Sequence, residues 1–318
     1  MDYGHSVTDK MLMTLEGKIK DEYRQASKEV EKSMDKYLAR FKENDAKMSK
    51  LVDAGEITKK EYVEWRTKQM MISDKWLSMR DELTDVYMNA DKVASGLIKD
   101  STYEAYALNH NYGVFEAEKG AKADTNYTLY NKDSVARLVK DNPDLLPPPG
   151  KRTSEKIRSG KLKRWNQQQI QSVMTQSMIQ GQPVPKIAKN LAARMGEKNA
   201  YSHIRAARTM ITSAENAGRL DSYRRSKDMG IEMQKQWMST HDNRTRHSHR
   251  ALDGETIPVD EEFSNGLMFP ADPDGPPEEV YNCRCTLVAR VFSVDGIDIS
   301  DIPDETGEDF EEWLEEHQ

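Results

Sequence analysis

Cysteine is almost absent from this chain of 318 residues: Cys283 and Cys285, one residue apart, are the whole complement. So close a pair cannot staple distant segments, and a bond between them would close a small strained ring. A disulfide framework is excluded, and free thiols or metal ligands remain. Long apolar runs are missing too. No stretch of 18 apolar residues occurs, and Met1 to Lys10 is neither basic nor followed by an apolar core, so neither a membrane span nor a signal peptide is expected and the chain reads as cytoplasmic. Apolar residues make up only 36% against 32% charged, which suits elongated helical layers better than one thick core. Positive charge is missing from the end: residues 295–318 hold eleven Asp and Glu and no Lys or Arg, so the net charge of −7 hides a net-positive remainder. That tail is expected to be largely disordered, except that Phe310, Trp313 and Leu314 would form a short amphipathic helix that docks in a groove.

What is present is mostly helix. From about Met11 to Lys50, the residues Ile19, Tyr23, Ala26, Val30, Met34, Tyr37 and Phe41 recur at intervals of three and four, which lays one apolar seam along a helix. Asp53-Ala54-Gly55 breaks it, and Thr58 with Glu61 supplies a capping box for the next. The second helix carries a longer seam at heptad spacing: Tyr62, Trp65, Gln69, Ile72, Trp76, Met79, Leu83, Val86, Ala90, Val93 and Leu97. Two such helices joined by a short loop predict an antiparallel hairpin, with Gly96 and Ser101 at its far end. The pattern weakens from Thr102 to Asn142, where clustered tyrosines read as packing rather than as a base-stacking platform.

Pro147-Pro148-Pro149-Gly150 is the clearest boundary, since successive prolines continue neither helix nor sheet. Lys151, Arg152, Lys156, Arg158, Lys161, Lys163 and Arg164 then face the single acid Glu155. Such a cationic stretch is either a solvated linker or a contact for DNA phosphates. Three helices follow: Gln167 to Gln180, one opened by Pro185, and a long one from about Ala200 to Met229. The last has a small-residue face of Ile204, Ala207, Ile211, Ala214 and Gly218 that is expected to pack on a sheet of residues 231–238 and 285–291. The later strand, Thr286 to Val291, reads as a buried strand. A short hairpin is expected around Ile257 and Val259.

The chemically unusual residues crowd between Trp237 and Cys285: Asp242, Arg244, Arg246, His247, His249, Asp253, Gly254, and Asn282-Cys283-Arg284-Cys285. Taken with Ala207-Arg208-Thr209 on the preceding helix and Leu252 before Asp253, this ordered set resembles the carboxy-terminal domain of the phage head morphogenesis family, the Mu F-like minor head proteins, over roughly residues 200–292. In the branch of that family most suggestive of zinc, a Cys-x-x-Cys pair and a His-x-x-Cys-x-Cys group make a closed site. Here Arg246 and His249 stand in the first pair and Val280 replaces the second His, which leaves His249, Cys283 and Cys285, with His247 as a fourth ligand. The competing reading is a structural clasp in which Asp242, Arg244 and Arg246 form ion pairs, His249 is a hydrogen-bonded core residue and the cysteines are small buried groups. A catalytic reading pairs Cys283 with His249 as nucleophile and base, or uses His247, His249 and Asp242 to hold a metal for phosphodiester cleavage. No glycine-rich phosphate loop, oxyanion-hole signature or second catalytic carboxylate at diagnostic spacing accompanies either.

The expected architecture is therefore α+β and mostly α. A helical part with a long hairpin (1–146) is followed by a Pro-rich basic linker (147–165), a small α+β domain with a short antiparallel sheet (166–294) and the acidic tail (295–318). The resemblance implies a non-enzymatic minor head protein in the virion, assembled in the host cytoplasm at the portal vertex. Its implied partners are the portal protein, other capsid or scaffold proteins, and packaged double-stranded DNA bound without sequence preference during packaging or release. A metal-dependent nuclease or toxin-like effector is the alternative.

Overall fold

The computed structural model describes residues 2–71, 74–122, 127–146, 160–180, 182–294, 296–298 and 309–317. They form two compact units, one of residues 17–96 and 150–204, the other of 1–16, 97–149 and 205–318. Pro147 to Gly150, four of the seven linker cations and the tail segment 299–308 lie outside the described residues. Among the described residues no helix is long and apolar enough to cross a membrane.

The first of these units is the expected hairpin with short helices beside it. Helix α1 (Tyr3–Asp53) starts earlier than its apolar seam, because Asp2 accepts a hydrogen bond from the His5 amide (2.8 Å) and caps the first turn. Its seam is as expected: Ile19, Tyr23, Ala26, Val30 and Met34 are buried. The Thr58–Glu61 capping box also forms, with the Thr58 amide donating to Glu61 (2.8 Å) and the Glu61 amide to Thr58 Oγ1 (3.2 Å), and it opens α2 (Lys59–Met71). Pairings between α1 and the returning helices run in opposite chain directions: Tyr62 with Asp45 (2.8 Å), Ser33 with Glu82 (2.7 Å), and Tyr23 with Asp91.

Helix α3 (Asp74–Ala121) departs from expectation twice. Its buried stripe is Met79, Leu83, Tyr87, Ala90, Ala94 and Ile98, so Ala90 keeps its expected place while Tyr87, Ala94 and Ile98 take those of Val86, Val93 and Leu97, and Val93 is exposed. A straight helix of 3.6 residues per turn drifts off a 3.5-residue repeat, and the stripe follows the helix. Nor do Gly96 and Ser101 end it. Residues 105–115 are buried nearly all round, and a helix enclosed on every side loses the periodicity that would have revealed it. The tyrosines there do pack: Tyr106, Tyr112 and Tyr130 are buried. After α4 (Lys132–Asp141), opened by an Asn131–Ser134 capping box, come α5 (Lys161–Ile179), α6 (Val184–Leu191), a π-helical turn (Ala192–Glu197) and α7 (Lys198–Asp228).

The second unit holds the sheet. Strands β1 (Ile231–Met238), β2 (Thr256–Pro258), β3 (Thr286–Val294) and β4 (Ile297–Asp298) lie in the order β2-β1-β3-β4, all antiparallel, with Trp237 opposite Leu287 and a bulge at Glu232/Met233. Ile257 thus pairs with Lys235 of β1 instead of forming its own hairpin. Strand β3 is buried only at Thr286 and Leu287 within the expected range, because its other face carries Val288 and Arg290 outward.

At Gly218 the small-residue face of α7 meets α3: a Cβ there would lie 2.5 Å from the Tyr106 carbonyl. The adjacent polar face covers the free edge of β3. Asn216 donates to the Cys285 carbonyl (3.1 Å) and accepts from the Leu287 amide (2.7 Å), as a neighbouring strand would, and Arg219 donates to the Leu287 carbonyl (2.7 Å). Leaving such edge groups unpaired and buried would be costly, so one Asn and one Arg substitute for a strand. Arg219 is fully buried and is neutralised by Asp2, with Glu116 3.9 Å away. Helix α8 (His247–Ala251) and α9 (Pro277–Val280) sit in the long connections, and α10 (Phe310–Glu316) ends the described chain.

Candidate functional site

Beyond β1 the chain turns at Asp242, whose Oδ1 accepts from the amides of Arg244 (2.9 Å) and Thr245 (3.0 Å). This side-chain-to-backbone bonding is what makes Asp a turn former. Both of its oxygens also meet a forked guanidinium, that of Arg284, at 2.6 and 2.7 Å. The Arg244 side chain is 3.5 Å away and largely exposed. Asp242 thus pairs with Arg244 at 3.5 Å and also takes the fork of Arg284, which the segment entering β3 brings across. The hydrogen bond from Arg284 holds the Asp242 carboxyl well below the usual carboxylate range. Arg246 donates to the Tyr281 carbonyl and Thr240 to the Arg284 carbonyl, which lace the same two segments together.

Asp253 and Gly254 form a second lacing. Asp253 accepts from the Ser239 amide (2.8 Å) and lies 2.8 Å from His241 Nε2. Gly254, at φ 84°, turns the chain so that its amide reaches the Trp237 carbonyl (2.9 Å). Asn282 sits at φ 56°, a conformation that Asn tolerates better than most residues, and its amide donates to Thr209 Oγ1 (3.2 Å). Trp237 is fully buried, edge-on to His249 and Phe263 at ring distances of 5.3 and 5.1 Å.

Within this frame His249, Cys283 and Cys285 come together, all buried. His249 Nδ1 is 3.5 Å from each sulfur, and Nε2 is 2.8 Å from a carboxylate oxygen of Glu279, although out of line for a hydrogen bond. Glu279 carried no sequence signal, because one acid in an acidic, proline-rich loop looks like any other. Hydrogen bonding from Cys283, helped by His249, lowers the Cys285 thiol in spite of its burial. Burial pushes Cys283 the other way. For zinc the three donors fit: bond lengths of about 2.3 Å to sulfur and 2.0–2.1 Å to nitrogen at a tetrahedral angle separate N and S by about 3.5 Å. Glu279 stands where a carboxylate orients a metal-bound His. His247 does not join them. It is exposed at the first position of α8, two residues and roughly 200° of helix away from His249.

A cleft of about 430 Å³ beside the lacing is lined by His5, Asp9, His241, Asp253, Gly254 and Arg284 among others. Its charged groups are largely paired: His5 with Glu215 (2.7 Å), His241 with Asp253, and Arg284 with Asp242. Of the basic stretch, Lys161, Lys163 and Arg164 lie in the first turn of α5, and Lys163 is paired with Asp85 at 2.9 Å. Lys151, Arg152, Lys156 and Arg158 fall outside the described residues.

Residues 168–288 match the family model described as Phage Mu protein F like protein. Minor head protein GP7 of Bacillus phage SPP1 is 27% identical over 84% of this chain and 83% of its own length. NAD(+)–arginine ADP-ribosyltransferase EFV of Enterococcus faecalis is 28% identical over 70% of this chain, which spans only 44% of that protein. Uncharacterized protein YqbB of Bacillus subtilis is 31% identical over 39% of the chain, which spans 42% of it. No solved structure matches. The resemblance thus holds over residues 168–288, which are Mu F-like, and the chain is similar to a phage minor head protein.

Proposed function

We propose that this protein is a non-enzymatic minor head component that works by contact: it joins the phage head during assembly at the portal vertex and touches packaged DNA. The observation that carries this reading is the match to a minor head protein over 84% of the chain, far more than the motif region alone. The chemistry of the motif agrees with it. A nucleophilic cysteine needs both thiolate character and access, and Cys285 and Cys283, at 2% and 1% exposure, lack access. The signature residues instead bond one another and the backbone, which is the pattern of a structural clasp. Zinc, held by His249, Cys283 and Cys285, would add a crosslink to that clasp.

The finer parts of the proposal concern partners. The portal and neighbouring capsid or scaffold proteins are the protein contacts, and the cations of residues 151–164 are the DNA contact. The test is a phage carrying a tagged copy. Heads purified from it should contain the chain in few copies, crosslinked to the portal, and heads without it would sink the proposal. DNA binding by the full chain should weaken steeply with salt, and a salt-independent affinity would remove the DNA contact. The relative named as an ADP-ribosyltransferase makes a second reading testable: transfer of ADP-ribose from NAD(+) to arginine by this chain would overturn the non-enzymatic assignment.

A further inference from the structure

The acidic tail ends in α10, which does not wait for a foreign groove: it is seated on its own chain. Phe310 and Trp313 are 4% exposed each and pack with Tyr112, Val114 and Phe115, with Leu108 and Tyr127 alongside. Aromatic contacts bind it on two sides. Phe310 meets Tyr112 edge-on at 5.2 Å, and Trp313 lies 5.6 Å from Phe115. Trp313 Nε1 donates to Glu118 at 2.7 Å, a buried and directional bond, and Tyr3 donates to Glu311. Asp309 caps the helix through the amides of Glu311 and Glu312 (3.0 Å each). The result is a receptor groove with a ligand of defined chemistry, a capped acidic helix anchored by Phe and Trp three residues apart.

We propose that this groove is an exchange site between copies of the chain, in which α10 of one molecule docks on residues 108–118 of a second. Every copy carries both halves, so the exchange creates no surface that the closed form lacks. A seven-residue helix has little stability of its own, and its structure comes from the groove that holds it. Between Asp298 and Asp309 the chain has ten residues, enough to extend over about 35 Å, so its length does not restrict α10 to one groove. Cis and trans docking bury the same side chains. Their balance is then set by the effective concentration of the tethered helix, in the millimolar range for a short linker, against that of neighbouring copies. A dilute chain closes on itself, and crowded copies link.

The test uses two full-length variants that cannot close. One, Phe310→Ala with Trp313→Ala, keeps the groove and loses the ligand; the other, Phe115→Ala with Glu118→Gln, keeps the ligand and loses the groove. Far-UV circular dichroism and melting verify that both are folded, and the milder single variants Trp313→Phe and Glu118→Gln replace them where they are not. Each variant alone should sediment as a monomer, and an equimolar mixture at several hundred micromolar should form a heterodimer. A labelled peptide of residues 309–317 should bind the first variant and bind about tenfold more weakly once Glu118→Gln is added. A mixture that stays monomeric overturns the exchange, whether or not the peptide binds. Dimerisation of either variant alone assigns the contact to another surface and overturns it equally.

Discussion

The hairpin and the motif region solve the same problem, holding chain segments together, by different means. Between α1 and α3 much of the work is done by repetition: Ile19, Tyr23, Val30 and Met34 on one helix and Met79, Leu83, Tyr87 and Ala90 on the other are buried at helical intervals, with polar pairs such as Ser33 with Glu82 beside them. Around the sheet an apolar core that includes Trp237, Phe263 and Leu287 is supplemented by unrepeated polar contacts, Asn216 and Arg219 on the edge of β3, Asp242 with Arg284, and Asp253 with Ser239. Apolar burial grows with area and tolerates local loss. A buried polar contact leaves its partner unsatisfied when broken. The two regions should therefore fail differently.

Arg219→Ala should show the largest effect, since it removes a fully buried cation and strands Asp2 and the Leu287 carbonyl. A loss of about 4 kcal/mol in chemical denaturation is expected. A loss below 1 kcal/mol would mean that the edge of β3 does not depend on it. Leu83→Ala in the seam should cost about 3 kcal/mol through its cavity, without altering the near-UV signal of Trp237. If that signal collapsed as well, the contrast between the regions would be lost.

A smaller effect separates the regions by pH. Burial disfavours a charged His5, but Glu215 at 2.7 Å prevails, with help from Asp9 and against Arg219, and raises the ring to about 9. A group raised on folding contributes stability that is complete below its unfolded value near 6.5 and is lost as pH climbs through 9. Stability should accordingly fall by about 2 kcal/mol across that window, and His5→Gln should flatten the curve. An unchanged slope in the variant would assign the titration elsewhere. The smallest effects concern the clasp. Asp242→Asn should lower the melting temperature by a few degrees, whereas a chelator should leave it in place. A domain that melts on chelation but ignores Asp242→Asn would make zinc on His249, Cys283 and Cys285 the principal clasp.

Much of this was legible in the residues. Interval patterns, the Thr58–Glu61 box and the alternation of Ile231 to Met238 are local properties, determined by 3.6- and 2-residue periods and by capping chemistry, and they placed the helices, β1 and the hairpin. Ordered landmarks from Ala207 to Cys285 carried the Mu F-like resemblance, because turn residues such as Asp253, Gly254 and Asn282 are dictated by backbone conformation. Tertiary structure alone decided the rest. Periodicity vanished where α3 is enclosed on all sides, and only the crossing of two distant segments could show that Asp242 is paired with Arg284 as well as with its neighbour Arg244. Likewise the groove for α10 and the role of Glu279 exist only once residues 30 to 200 positions apart are brought together. Local geometry is encoded by nearest neighbours, but the choice of partner for a charged or aromatic side chain depends on which segments folding places within reach.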